Sequence, residues 1–277
     1  MKDKKFLVIG SNSFSGSHCV AELLKKGFEV LGISRSEELN PVFLPYFWNY
    51  KDKEYQALLK TNFQFHQINL NNDLEKLMEL IYLFKPTHVV NFAAQGMVAE
   101  SWQNPTHWYK TNVLTQVAFH DELRKCAFLE KYVHITTPEV YGSTDGGWID
   151  EETPFAPSTP YAVSRAACDL HLKSFHKAYD FPVVFTRAAN VFGPGQQLYR
   201  IIPRAMLSAR TGKRFQLHGG GISQRSFIHI NDVIQATIQL SLNAKPGTTW
   251  HLSTKESISI KQLVEEICSL TKINFDS

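Results

Sequence analysis

Two side chains set four residues apart, Tyr161 and Arg165 in the segment PYAVSR, pose the first chemical question. On a helix, positions i and i+4 share a face, so the phenol and the guanidinium would point into one site. A cation beside a phenol favours the phenolate and lowers its pKa, which suits a tyrosine that must take a proton. The same pair could also stack on a solvated helix, and the spacing alone leaves both readings open.

A second candidate is GSNSFSG, residues 10–16, between an apolar run and a helix-like segment. Gly10 permits a tight turn and Gly16 lets the helix pack close to the strand. The helix N-terminus would offer free amides and a favourable dipole to a pyrophosphate. Ser13 stands where a middle glycine is usual, and the side chains of Ser11, Asn12 and Ser13 could add hydrogen bonds. The next strand ends in GISRSEE. Ser34, Arg35 and Ser36 come before any carboxylate, which favours the 2′-phosphate of NADP over the bare ribose of NAD. Glu37 and Glu38 lie too far along to take the acid's place; NAD stays the alternative, with Arg35 a solvated cation.

These residues need a scaffold, and the first half of the chain reads as one. Strand-like runs at 5–10, 28–34, 63–70, 87–94 and 131–137 alternate with helix-like segments at 17–26, 73–84 and 106–125. A helix over 161–179 and a strand over 181–191 continue the pattern. This alternation predicts an α/β fold with a doubly wound, Rossmann-like parallel sheet. Residues 37–60 have no clear period and read as an excursion. After VFGPGQ the texture changes to a helix over 202–211, a turn at LHGGG and a strand-like RSFIHI. The expected division is a dinucleotide-binding domain over 1–188, with returning elements at about 225–245, and a smaller mixed substrate lobe over 189–277, interleaved with it.

With 277 residues, 43% hydrophobic and 20% charged, the composition is that of an ordinary globular protein. A formal net charge of +3 gives no argument for nucleic acid or an anionic membrane. Cys19, Cys126, Cys168 and Cys268 lack CxxC spacing, and His134, His218 and His229 lack metal-ligand spacing, so no metal site is expected. The opening MKDKKFLVIG has no signal-peptide pattern, and no stretch approaches a membrane span; a cytoplasmic protein is expected.

TTPEVYG (136–142), PYAVSR and RAANVFGPGQ (187–196) together resemble the extended short-chain dehydrogenase/reductase superfamily. Within it the chain is most similar to the nucleotide-sugar 4,6-dehydratases acting on dTDP-glucose or GDP-mannose. NFAAQGMVAESWQNP (91–105) resembles their fourth-strand segment, and QRSFIHINDV (224–233) their arginine-containing segment. The resemblance runs to about residue 265. It implies NADP or NAD as cofactor, a nucleotide-diphosphate sugar as substrate, and a homodimer formed by helices 106–125 and 161–179. It implies that Tyr161 takes the proton of the sugar's 4-hydroxyl, that Thr137 hydrogen-bonds that hydroxyl, and that Glu139 takes the carbon-5 proton. Gly10, Asn12, Ser13, Phe14, Gly16, Ser34, Arg35, Asn69, Leu70, Ala93, Ala94, Gln95, Tyr161 and Arg165 fall at cofactor-binding positions. Gln95, Thr137, Asn190, Arg200 and Arg225 fall at substrate-binding positions.

Three departures accompany the resemblance. Arg165 replaces a lysine, keeping the charge but not the shape. Pro138 stands where an acid or serine is expected, and proline has no proton to give. Met97 replaces a common histidine. A 4- or 5-epimerase or simple 4-dehydrogenase needs Tyr161 but nothing at position 138. A dinucleotide-binding sensor without turnover would need neither.

Overall fold

KFLVI, β1 (Lys5–Ile9), carries four buried residues in five, the pattern of a strand covered on both faces. The computed structural model describes residues 3–143 and 147–271; positions 272–277 of the expected substrate lobe lie outside them. β1 is followed by α1 (Phe14–Lys25), β2 (Glu29–Ser34), α2 (Lys53–Asn62), β3 (Phe63–Gln67), α3 (Leu74–Phe84) and β4 (His88–Asn91). Then come α4 (Pro105–Tyr109), α5 (Thr115–Leu123), β5 (Lys131–Thr136), α6 (Pro160–Tyr179) and β6 (Val183–Ala188). These strands form a seven-stranded sheet in the order β10-β6-β5-β4-β1-β2-β3, where β10 is Thr249–Leu252. Every pairing in it is parallel. The direction of winding reverses between β1 and β4, so a crevice opens beyond their carboxyl ends, where such sheets bind ligands.

Helices cover both faces. Leu77 and Ile81 of α3, Phe119 and Leu123 of α5, and Leu172 of α6 pack on one. Val20 and Leu23 of α1 pack on the other, with Ile234 and Ile238 of α8 (Ile230–Asn243). A smaller cluster joins Ala205 of α7 (Ile201–Thr211) to Leu263, Val264 and Ile267 of α9 (Ile260–Thr271).

The excursion after β2 is ordered. Two 3₁₀ turns, Pro41–Phe43 and Pro45–Phe47, precede α2, which Asp52 caps by accepting from the Tyr55 amide at 3.0 Å. Tyr55 is the one buried residue of α2, so there was no apolar stripe to read. Leu44, Tyr46 and Tyr55 anchor the excursion in the core beside α1. The helix expected over 106–125 is interrupted by a π-helical segment, Lys110–Leu114. The strand expected over 181–191 is divided: β7 (Asn190–Phe192) leaves the main sheet and pairs with β9 (Phe227–His229). Within 225–245 the element that returns to the main layer is the helix α8, and the strand that follows it, β10, joins the sheet edge. β8 (Gln224–Arg225) pairs only with β11 (Ile258–Ser259), while α8 and β10 rejoin the larger layer.

Candidate active site

The glycine loop is held by steric necessity. A Cβ on Gly16 would lie 2.1 Å from the Gly10 carbonyl oxygen, and Gly10, at φ +83°, already sits against Phe92 and Ala93. Ser13 caps α1 by accepting from the Gly16 amide at 3.0 Å, so α1 begins at Phe14, earlier than its apolar pattern suggested. No acid occupies its first turn, which leaves that helix end suited to an anion. Asn12 is engaged within the protein. Its amide donates to the Ser34 hydroxyl at 2.9 Å, and its side chain donates to the carbonyls of Ser36 and Glu37. Asn12 thus shapes the loop from behind.

At the end of β4, Asn91 accepts from the Ala93 amide at 2.9 Å and starts the turn through Ala94 and Gln95. Gln95 is clamped by Asn112, which accepts from its amide at 2.7 Å and donates to its carbonyl at 3.0 Å. Asn112 also donates to Ser164 of α6, also at 3.0 Å. It is wholly buried and sits in the π-helical segment, where one extra residue per turn swings it inward. Sequence reasoning passed over it; an asparagine inside an amphipathic helix was the available signal. Past β3, Asn69 accepts from the Asn71 amide, and Leu70 edges a surface groove of about 530 Å³ shared with Leu74, Lys110 and Leu114.

Tyr161 stands in the first turn of α6. Thr159 caps the helix, Pro160 opens it, and Ser101 accepts from the Tyr161 amide at 3.2 Å. Arg165 does not meet the phenol as the spacing suggested. It is 2% exposed; its Nη2 donates to the Ile135 carbonyl and lies 3.4 Å from His134 Nε2, both on β5. No hydrogen bond or stacking contact joins it to Tyr161. The reason is reach: a buried guanidinium seeks carbonyl acceptors, and the arm is long enough to find one on the strand below. Its Nε and Nη1 are buried without a protein partner. Two orphan donors near the carboxyl end of β5 fit a ligand rich in hydroxyl and phosphate oxygens, as a dinucleotide is.

Thr137 follows β5 directly and caps the 3₁₀ turn Pro138–Tyr141 by accepting from the Glu139 amide at 3.2 Å. Proline at 138 opens that turn as it opens helices. Glu139 keeps an exposed face. Burial pushes its carboxyl up from the ordinary range, and the charges of Arg225 and Arg200 oppose the rise. Arg200 and Arg225 thus act on the same carboxylate. Asn190 is held next to Arg225, its side chain donating to the Ser226 carbonyl at 3.3 Å.

Behind these groups runs a buried polar chain. Asp169, wholly buried, accepts from Arg187 Nη2 at 2.8 Å and lies 3.4 Å from His134. Arg187 Nη1 donates to the Tyr141 hydroxyl at 2.8 Å, and that hydroxyl shares a hydrogen bond with His251 Nε2 at 2.7 Å. Glu151 accepts from the His251 amide at 2.9 Å. Burial alone would raise the Asp169 carboxyl; His134 and the guanidiniums of Arg187 and Arg165 override it and hold the group below its ordinary value. Among the described residues no cluster of histidine, cysteine and carboxylate could hold a metal ion, and no helix is long and apolar enough to cross a membrane.

The family model described as GDP-mannose 4,6 dehydratase matches residues 7–276. The dTDP-D-glucose 4,6-dehydratase of Mus musculus is 30% identical over 275 residues, 97% of this chain and 73% of that protein. Its Homo sapiens counterpart is 30% identical over 277 residues, 97% of this chain and 74% of that one. The dTDP-glucose 4,6-dehydratase of Bacillus anthracis, solved in complex with NAD, superposes with a TM-score of 0.84 at 27% identity, covering 98% of this chain and 82% of that one. The UDP-glucuronic acid 4-epimerase of Bacillus cereus, in complex with UDP-glucuronic acid and NAD, superposes at 0.83 and 26% identity, covering 98% and 84%.

Proposed function

This chain belongs to the GDP-mannose 4,6-dehydratase family, and on that premise we propose that it oxidises a nucleotide-diphosphate sugar at carbon 4 and then eliminates water across carbons 5 and 6. The carrying observation is the turn Thr137–Glu139, which sets a hydroxyl and a solvent-reachable carboxylate at the end of β5, under the charges of Arg200 and Arg225. A nicotinamide dinucleotide, when bound, supplies a hydride acceptor that later returns the hydride. The glycine loop, Phe14, Ala93, Ala94, Gln95, Asn69, Leu70 and the orphan donors of Arg165 would hold it. Tyr161 takes the proton of the 4-hydroxyl, and Thr137 orients that hydroxyl. Once carbon 4 is a ketone, the carbon-5 proton is acidified and Glu139 removes it; the carbon-6 C–O bond then breaks and the hydroxide leaves as water, taking the proton that Glu139 holds, since Pro138 has none to give. Burial shifts this carboxyl upward, in the direction that favours proton removal. Arg200, Arg225 and Asn190 bind the diphosphate.

Pro138 gives a second reading its observation: with no acid there, an epimerase or 4-dehydrogenase needs only the first half of the scheme. Incubating the protein with dTDP-glucose, GDP-mannose and UDP-glucose and following mass separates the two. Loss of water supports the dehydratase; unchanged mass with a new sugar spectrum supports an epimerase and sinks the primary reading.

NADP is the cofactor that Arg35 favours, since this exposed arginine beside Ser34 makes no ion pair among the described residues; the solved relatives named above carry NAD. A homodimer follows from the exposed apolar residues Val163, Leu170 and Tyr179 of α6, which solvent alone would not favour. The cytoplasm is the compartment proposed.

A further inference from the structure

Residues 193–200 carry the chain from β7 to α7, with Asn190 just before this loop and Arg200 at its close. From Gln197 to Arg200 the loop is exposed, so burial does little to fix that stretch. Its own hydrogen bonds are local. Gln196 donates from its amide to the Gly193 carbonyl at 3.3 Å and from its side chain to the Val191 carbonyl at 2.7 Å, and the Arg200 amide donates to the Gln197 carbonyl at 3.0 Å. Among the described residues only one hydrogen bond reaches the loop from outside 190–204. It joins His18 Nε2 of α1 to the Pro194 carbonyl at 2.9 Å, across 176 positions of sequence. A carbonyl only accepts, so the imidazole proton sits on Nε2.

The imidazole is itself held. It meets Phe14, one turn earlier in α1, at 5.3 Å and 81°, and Trp48 of the excursion at 5.7 Å and 89°, both edge-to-face. Trp48 is pinned in turn by its indole N–H, which donates to the Val42 carbonyl at 3.1 Å. The loop rests on the same indole: Gly195, at φ +80°, comes so close that a Cβ there would lie 3.0 Å from Trp48 Cη2. A Cβ on Gly193 would lie 2.5 Å from Ile230 Cγ2, which seats the start of the loop on α8. The N-terminus of α1 bears the glycine cradle. His18 therefore ties the helix that would hold the cofactor's phosphates to the loop that ends in Arg200.

We propose that His18 is a positioning residue for the nucleotide sugar: by donating to Pro194 it fixes the loop that brings Arg200 to the substrate's diphosphate. His18 touches neither substrate nor cofactor. With the tether cut, the loop samples arrangements in which Arg200 is out of reach, and affinity falls with the fraction of chains that stay competent. The cofactor's grip, made by the glycine loop on the other side of α1's first turn, is left as it was. The inference rests on the reading of Arg200 as a diphosphate ligand in the preceding section.

The test is calorimetric titration of the full chain with dTDP, UDP and GDP, and separately with NAD and NADP. His18→Phe keeps a ring for Phe14 and Trp48 and removes the donor. It is expected to weaken the nucleoside diphosphate that the unaltered chain binds by about five- to tenfold, the effect of one lost hydrogen bond, and to spare both dinucleotides. His18→Gln, whose amide N–H can stand where Nε2 stands, restores the affinity. His18→Asn, whose amide is too short to reach Pro194, behaves as His18→Phe, and it serves where a phenyl ring disturbs α1. Diphosphate affinity unmoved in both the Phe and the Asn variants overturns the proposal. So does a loss shared equally by the dinucleotides, or one that His18→Gln fails to repair, since packing of α1 would then be the whole role. Arg200→Ala tests the premise separately. If it weakens the diphosphate while the His18 variants do not, the tether alone falls. If it spares the diphosphate, or if the unaltered chain binds none of the three, the diphosphate reading falls and the tether with it.

Discussion

Replacing Asp169 by asparagine tests the buried polar chain most directly. The substitution keeps the shape and removes the charge. Asp169 and Arg187 have no exposed side-chain surface, and their closest atoms are 2.8 Å apart. Arg165, 2% exposed, adds a second cation to the same carboxylate's surroundings. Without the charge, two guanidiniums share a dry interior with no anion. Breaking a buried pair from one side costs about 3–5 kcal/mol, because the surviving charge stays desolvated. At roughly 2–4 °C per kcal/mol for a chain of this size, the melting temperature falls by about 10 °C. Urea unfolding followed by tryptophan fluorescence reads the change, and the partner variant Arg187→Met completes a double-mutant cycle. The double variant is expected to be more stable than Asp169→Asn alone, since no unpaired Arg187 remains. A single-variant loss below about 1 kcal/mol, or additive single losses, would refute the reasoning, for it would mean that water already solvates these groups.

Acid should destabilise the fold through His88, which is 1% exposed and whose pKa burial lowers to about 4. The unfolded chain takes up a proton below its ordinary 6.5 and the folded chain does not, so stability is full above that value and is lost as pH falls toward 4, by about 3 kcal/mol. Denaturant midpoints at pH 7 and pH 4.5 should show this, and His88→Phe should flatten the slope. Glu139→Gln is expected to lower turnover about a hundred- to ten-thousand-fold while nucleotide-sugar affinity, measured by calorimetry, holds or rises. Gly16→Ala forces a methyl to 2.1 Å from a backbone oxygen and should abolish dinucleotide binding, seen as loss of the thermal shift on cofactor addition. Asn112→Leu leaves the Gln95 amide and carbonyl without their partners and should raise KM for the nucleotide sugar as well as lowering stability by about 1–3 kcal/mol.

Legibility varied with the range of the interactions involved. β1, with four buried residues in five, and the glycine pair around 10–16 could be read because a strand's burial and a turn's φ are local properties. The motif residues Thr137, Glu139 and Tyr161 were likewise visible, and their neighbourhood came out as a strand end, a capped 3₁₀ turn and a helix start. α2 escaped notice because only Tyr55 of it is buried. The break between β6 and β7 escaped because both halves are made of the same apolar residue types. The partners of Asn12 and Arg165 were misjudged for one shared reason: each has polar groups that could serve a ligand, and each spends them on a backbone brought close only by folding.

From the chain alone came the parallel, helix-flanked sheet, the glycine turn after β1 and the identity of the groups at the end of β5, since apolar period, glycine conformation and motif spacing act within a few residues. Tertiary structure decided what those groups touch. Asn12 bonds a carbonyl 25 positions away, Arg165 one 30 away, and Tyr141 a histidine 110 away. Such pairings are set by which strands lie side by side and by how few acceptors a buried charge can reach, and no local pattern encodes either.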